Sequence, residues 1–153
     1  MVKISIDIDS VLVDLVKIIP KYNPNWDGKS WDCGIDFSKL SDDEWLKLPV
    51  LDTLPEHIKP YCYLSNRVCD VALSEQWLLN NNFPTAKVYH VKNKVEFAIN
   101  HGIDVHIDDN YNNFINLMDI GVDSYLYHQP WNADEKNYGK KVYSLMEFGN
   151  YLL

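Results

Sequence analysis

Only three cysteines occur in 153 residues, Cys33, Cys62 and Cys69, an odd number with no CxxC spacing. Their number and spacing argue against a disulfide framework and a thiolate zinc site, and a reducing cytoplasm is the setting this reading expects. No stretch approaches the ~20 apolar residues that a membrane-spanning helix requires, so no membrane partner is expected. The opening MVKISIDID runs straight into a strand pattern rather than the charged-then-apolar order of a secretion signal. Basic residues are in deficit: 14 Lys and Arg against 22 Asp and Glu leave a formal charge of −8. That average field repels a nucleic-acid polymer, so none is expected as a partner. A small phosphorylated substrate survives the same test, because a bound divalent cation reverses the local sign. Internal repeats and low-complexity segments are also missing.

What is present suits one domain spanning 1–153 with a core of ordinary size, since 46% of residues are hydrophobic. Val2–Ile8 alternates apolar and polar residues and reads as a strand. Ser10 is placed to cap a helix over Val11–Ile19, which Pro20 is expected to stop. Residues 21–60 then lose any steady period; Trp26, Trp31, Phe37 and Trp45 lie among Asn, Pro and Gly, and Ser41–Glu44 forms a capping box for a short helix. From Tyr61 onward the signal is regular. Strands are expected at Tyr61–Leu64, Ala86–Val91, Ile103–Ile107 and Val122–Tyr127. Helices are expected at Val68–Asn81, Asn93–His101, Tyr111–Ile120 and Tyr143–Leu152, with Gln129–Lys141 as a loop.

Strands alternating with helices imply an α/β fold: a three-layer, Rossmann-like parallel sheet with helices on both faces. Residues 21–60 are the one insertion, a small cap after the first strand and helix. Ligands in such sheets bind beyond the carboxyl ends of the strands. Those ends carry Asp7 and Asp9, Ser65 and Asn66, and Asp108 with Asp109. Two carboxylates about 4 Å apart repel by ~4 kcal/mol at an effective dielectric of 20, so the group calls for a cation. Hard oxygen ligands with room for water and a phosphate oxygen suit Mg²⁺. Ser65, the backbone amide of Asn66 and the Lys94 ammonium complete a set able to hold a phosphoryl group.

The order of these residues resembles the haloacid dehalogenase-like phosphohydrolases: Asp7-x-Asp9 after a hydrophobic strand, Ser65 after a second, then Lys94, then Asp108-Asp109. Nearly the whole chain is covered. Within that superfamily YLSNR, the helix with Gln76-Trp77-Leu78, NNNFP, NKVEFAINHGIDVHIDDN and the late QPWN look like the cytosolic 5′(3′)-deoxyribonucleotidase group and related phage and bacterial proteins. The resemblance implies a Mg²⁺-dependent phosphomonoesterase acting on a small substrate such as a (deoxy)nucleoside monophosphate. In that scheme Asp7 attacks phosphorus to form an aspartyl-phosphate, and Asp9 protonates the leaving oxygen and then activates water. The metal lies between Asp7, the Asp9 backbone carbonyl, Asp108 and the substrate, with Asp109 supporting; Ser65, Asn66 and Lys94 bind the phosphoryl group. Ser10 departs from the family's usual Gly, and the cap is short by comparison. Lys92 and Lys94 both fit the motif loosely; Lys94 opens the helix leading to Gly-Ile-Asp and is preferred.

Other residues have blander readings. Asp14 suits a helix N-terminus better than the site, and Arg67 is balanced between substrate contact and an exposed helix start. Most cap aromatics are expected to hold the cap together, with one or two reaching a pocket. His106 reads as core, and none of the five histidines reads as catalytic. The alternative function is a non-catalytic module of the same fold that binds a protein partner through its Tyr- and Trp-rich surface. The complete set of catalytic positions speaks against it.

Overall fold

The computed structural model describes all 153 residues. Six strands, β1 (Ile4–Asp7), β2 (Cys62–Ser65), β3 (Lys87–His90), β4 (Val105–Asp108), β5 (Asp123–Tyr127) and β6 (Lys141–Val142), form one sheet in the order β3-β2-β1-β4-β5-β6. Every neighbouring pair is parallel. Parallel neighbours require crossover connections. The first carries α1 (Leu15–Tyr22) and α2 (Asp42–Leu46); the next three carry α3 (Val71–Asn80), α4 (Lys94–His101) and α5 (Tyr111–Asp119); the last, from β5 to β6, has no α-helix, and α6 (Leu145–Tyr151) follows β6. No helix is long and apolar enough to cross a membrane.

Side chains alternate across a strand, and this sorts the core into two parts. Ile4, Ile6 and Ile8 pack with Tyr63, with Trp77 of α3 and with Phe148 of α6 in a cluster of 21 buried residues. On the opposite face Cys62 and Leu64 pack with Phe97 and Ala98 of α4 and Leu117 of α5, in a cluster of only seven. Helices therefore cover both faces of a Rossmann-like sheet, in three layers. The second cluster is small because buried polar residues, Ser5 and Asp7 on β1 and His106 and Asp108 on β4, occupy the alternate positions of the two central strands. The chain runs from β1 outward to β3, then returns to the other side of β1 as β4. The carboxyl ends of β1 and β4 thus flank the point where strand order reverses, the usual ligand crevice of such sheets.

Local chemistry explains where the elements begin. The first helix starts at Leu15 instead of Val11. The Ile8 carbonyl accepts from both Leu12 N (2.9 Å) and Val13 N (3.1 Å), which curls this segment into a tight turn. Asp14, and not Ser10, is the cap, accepting from Lys17 N at 3.0 Å. Pro20 does not stop the helix; it forgoes one bond, and the helix ends two residues later at Tyr22. Ser41 and Glu44 form the expected reciprocal capping box of α2. The stretch expected as a loop over Gln129–Lys141 holds a 3₁₀ turn at Pro130–Asn132 and ends in β6, whose two residues are too few to show alternation. The insertion has little secondary structure, but its later half does not stand apart: Trp45, Leu48 and Ile58 are buried in the larger core cluster.

Trp77 links these parts. Its ring is fully buried and stacks on Phe83 at 5.5 Å, and its indole N–H donates to the Leu48 carbonyl of the insertion at 2.8 Å. Trp77→Ala removes that ring and orphans a buried carbonyl, and should cost about 3–5 kcal/mol in urea denaturation. A loss under about 1 kcal/mol would mean that the insertion does not rest on this residue.

Candidate active site

Asp7 closes β1, and Asp9 follows the last core residue of that segment, Ile8. The backbone then reverses at Ser10, whose φ of +64° lies in the left-handed region that costs an L-residue with a Cβ. Ser10 N donates to the Val13 carbonyl at 2.9 Å, and the Gln129 amide donates to the Ser10 carbonyl at 2.8 Å. Glycine would adopt this turn without that cost. The turn sends the two aspartates to different partners.

Asp7 takes the α4/α5 face. Lys94, the first residue of α4 behind its cap Asn93, is buried, and its ammonium donates to Asp7 Oδ1 at 2.5 Å and to Asp108 Oδ2 at 2.7 Å. Lys92 is exposed, so Lys94 is the lysine of this site. Asp108, at the end of β4, also accepts from His106 Nε2 (3.0 Å), Asn113 Nδ2 (3.1 Å) and the Asn110 amide (2.9 Å). Burial opposes its charge, but Lys94 and His106 outweigh burial and hold Asp108 well below the usual carboxylate range. His106 is buried as expected of a core residue, yet it serves the site: Ser5 Oγ lies 2.7 Å from its Nδ1, which leaves Nε2 to donate to Asp108.

Asp109 lies beside this pair. Its carboxylate accepts from the Trp131 indole at 2.9 Å, and the Asn132 amide bridges its carbonyl (2.9 Å) and that of Tyr127 (2.8 Å). Carboxylate oxygens of Asp7, Asp108 and Asp109 lie within 4.8 Å of one another. Burial first, and the Asp108 charge second, push Asp7 up to about 7. Burial and the Asp7 and Asp108 charges push Asp109 well above the ordinary value. Added positive charge at this group would lower both carboxyls.

Asp9 is in a different position. Arg67 grips both its oxygens, Nε at 2.8 Å from Oδ2 and the terminal nitrogen at 2.7 Å from Oδ1, and the Ser65 hydroxyl donates to Oδ2 at 3.2 Å. Burial acts to raise this carboxyl, but the guanidinium charge and hydrogen bonds prevail and hold it below its usual value. The Asp9 carboxylate is accordingly not part of the three-carboxylate group. The Ser65 hydroxyl, expected to face a phosphoryl group, is buried and directed to Asp9, whereas Asn66 and Arg67 of the same turn line the cavity.

That cavity has a volume of about 520 Å³ and also reaches Asp7, Lys94, Asp108 and Asp109. Leu15 and Ile19 of α1 give it an apolar side, and Trp31, Phe37 and Trp45 of the insertion line it as well. Trp26 turns away, its indole donating to the Ser30 carbonyl at 2.9 Å. Trp31 meets Trp131 edge-on at 5.7 Å, so the insertion touches the loop that holds Asp109. More cap aromatics reach the cavity than the sequence led one to expect, because the insertion packs on the main core and needs fewer of them to hold itself together.

With every group ionised, four aspartates face two cations and the site carries two excess negative charges. Oxygen donors of this kind, with this charge, fit a divalent hard cation. A scan against protein-family models finds none that matches this chain, and searches of curated proteins and of solved structures find no match either.

Two outcomes test this electrostatic picture. Replacing Arg67 by Met should raise the Asp9 pKa from below the usual carboxylate range to above it, read by ¹³C NMR titration; an unmoved value would mean that the ion pair does not form. Asp7 titrates near 7 when folded but near 4 when unfolded, so between those values the folded state binds the extra proton. Metal-free protein should then lose stability through this group as pH rises from about 4 to 7, and Asp7→Asn should flatten the fall in Tm.

Proposed function

We propose that this chain is a Mg²⁺-dependent phosphomonoester hydrolase of the haloacid dehalogenase-like type, acting through an aspartyl-phosphate. The observation that carries this reading is the buried Lys94 ammonium bridging Asp7 and Asp108 at the strand-order reversal, beside Asp109 and at the floor of a cavity. Asp7, Asp108 and the Asp9 backbone carbonyl, supported by Asp109, are the groups that would hold Mg²⁺. Bound there, the ion supplies charge neutralisation for a phosphate dianion and for the carboxylates that face it.

The remaining work belongs to the chain's own residues. Lys94 holds one oxygen of Asp7, which fixes the direction of the carboxylate. An Asp7 oxygen forms a bond to phosphorus as the ester P–O bond breaks, and Asp9 gives a proton to the leaving oxygen. In the second step Asp9 takes a proton from water, whose oxygen bonds to phosphorus and releases Asp7 and inorganic phosphate. Lys94 and the Asn66 backbone amide face the equatorial oxygens, and positioning with charge balance does most of what phosphoryl transfer requires. Arg67 favours the charged form of Asp9, which suits the base of the second step; in the first step its protonated fraction is small.

A cavity of this volume with aromatic walls suits a small monoester such as a (deoxy)nucleoside monophosphate. Three free cysteines fit a reducing cytoplasm. Hydrolysis of an aryl phosphate should require Mg²⁺ and disappear in Asp7→Asn; activity retained there would reject the nucleophile. In kcat/KM, which reports only the first step, Asp9→Asn should slow an alkyl phosphate about 10²–10³-fold and an aryl phosphate much less, because a phenolate leaves without a proton. Equal losses on the two esters would reject Asp9 as the acid.

A further inference from the structure

Arg67 does more than pair with Asp9, because its third hydrogen-bonding nitrogen points away from the cavity. That terminal nitrogen donates to Ser74 Oγ at 3.0 Å, and Ser74 Oγ lies 2.9 Å from His90 Nε2. The other ring nitrogen of His90, Nδ1, lies 3.0 Å from the Cys69 carbonyl. Arg67 and Ser74 are both buried. The guanidinium carbon lies 4.8 Å from the centre of the Trp45 ring, a cation–π contact on a further side of the group.

With the His90 ring neutral, the form that burial favours, the chemistry of these groups fixes the direction of every bond. A guanidinium N–H only donates, so Ser74 Oγ accepts from Arg67. A carbonyl only accepts, so His90 Nδ1 carries the hydrogen and donates to Cys69. His90 Nε2 is then the acceptor, and the Ser74 hydroxyl donates its one hydrogen to it. The chain of donors and acceptors then closes with the hydrogen on His90 Nδ1. It crosses the carboxyl ends of three adjacent strands, from His90 on β3, through Arg67 after β2, to Asp9 after β1.

We propose that Ser74 and His90 are positioning residues: they lock Arg67 in one orientation, and Arg67 in turn holds the Asp9 carboxylate in place for proton transfer. The role assigned to Asp9 rests on the hydrolase reading; the locking of Arg67 does not. Free histidine favours the Nε2–H tautomer, so the locked form has a distinct signature. His90→Gln can return an acceptor oxygen to the Nε2 position, whereas His90→Leu cannot. Ser74→Ala breaks the chain at its middle.

The test combines NMR with kinetics on the full chain. Long-range ¹⁵N–¹H spectra of the unmodified protein at neutral pH should show His90 as the neutral Nδ1–H tautomer. The Arg67 Nε–H should exchange slowly with water in the wild type and in His90→Gln, and about tenfold faster or more in His90→Leu and Ser74→Ala. With an alkyl phosphate, kcat should fall about tenfold or more in those two variants with KM little changed, and recover in His90→Gln. A His90 ring protonated at Nε2, or Arg67 exchange unaltered by His90→Leu, would overturn the proposal even if variants were unstable, since the first readout needs none. If the hydrolase reading alone fails, the tautomer and exchange signals persist while the wild type hydrolyses no phosphate ester, or Asp7→Asn hydrolyses it equally well.

Discussion

A single ammonium group holds this site in its folded geometry. Lys94 lies between Asp7 and Asp108, buried with both of them, and reaches each within hydrogen-bonding distance. Without it, two carboxylates from neighbouring strands would face one another in a low-dielectric interior, and removing one partner of such a pair typically costs about 3–5 kcal/mol. The position of Lys94 follows from the fold: Asn93 caps α4, α4 packs on the smaller core, and its first residue therefore lies beneath the ends of β1 and β4. A sheet with apolar residues at Ser5, Asp7, His106 and Asp108 would bury more hydrophobic surface. That face is polar instead, and nearly all its polarity is satisfied by Lys94, His106, Asn113 and Ser5.

Two aspartates two residues apart meet opposite electrostatic conditions. Asp7 lies among like charges and retains a proton to about pH 7, whereas Asp9, under Arg67, is ionised well below that. The left-handed turn at Ser10 separates them, and the Gln129–Asn132 loop secures both sides of the arrangement, through Ser10 and through Asp109. Differences of this kind between neighbouring carboxyls are what acid–base chemistry exploits. Here they leave one group awaiting added positive charge and the other already paired.

Much of this was legible in the residues. The strands and helices from β2 to α5 announce themselves through alternation, caps and the Gly102 stop, where φ is +64° and a side chain would be strained. The clustering of Asp7, Lys94, Asp108 and Asp109 follows once the strands are taken as parallel neighbours. What was hidden depends on contacts distant in sequence. Val11–Val13 looks helical by composition, but the Ile8 carbonyl claims Leu12 and Val13 for a turn. Arg67 reads from sequence as balanced between substrate contact and an exposed helix start, because nothing local reveals Asp9, Ser74 and Trp45 around it. His106 looked like core because its partners, Ser5 and Asp108, become partners only through register. Asn132 gave no local sign that it would tie Tyr127 to Asp109. Sequence periodicity finds elements; the polar network between them is a tertiary property.

The central claim is that Asp7 forms a covalent bond to phosphorus. Acid-quenching the protein during incubation with an aryl phosphate and Mg²⁺, followed by peptide mass spectrometry, addresses it directly. One phosphoryl group on the peptide containing Asp7, removed by hydroxylamine as an acyl phosphate and absent without Mg²⁺, is the expected result. Turnover with no such adduct, or with the phosphoryl group on another residue, would contradict the account.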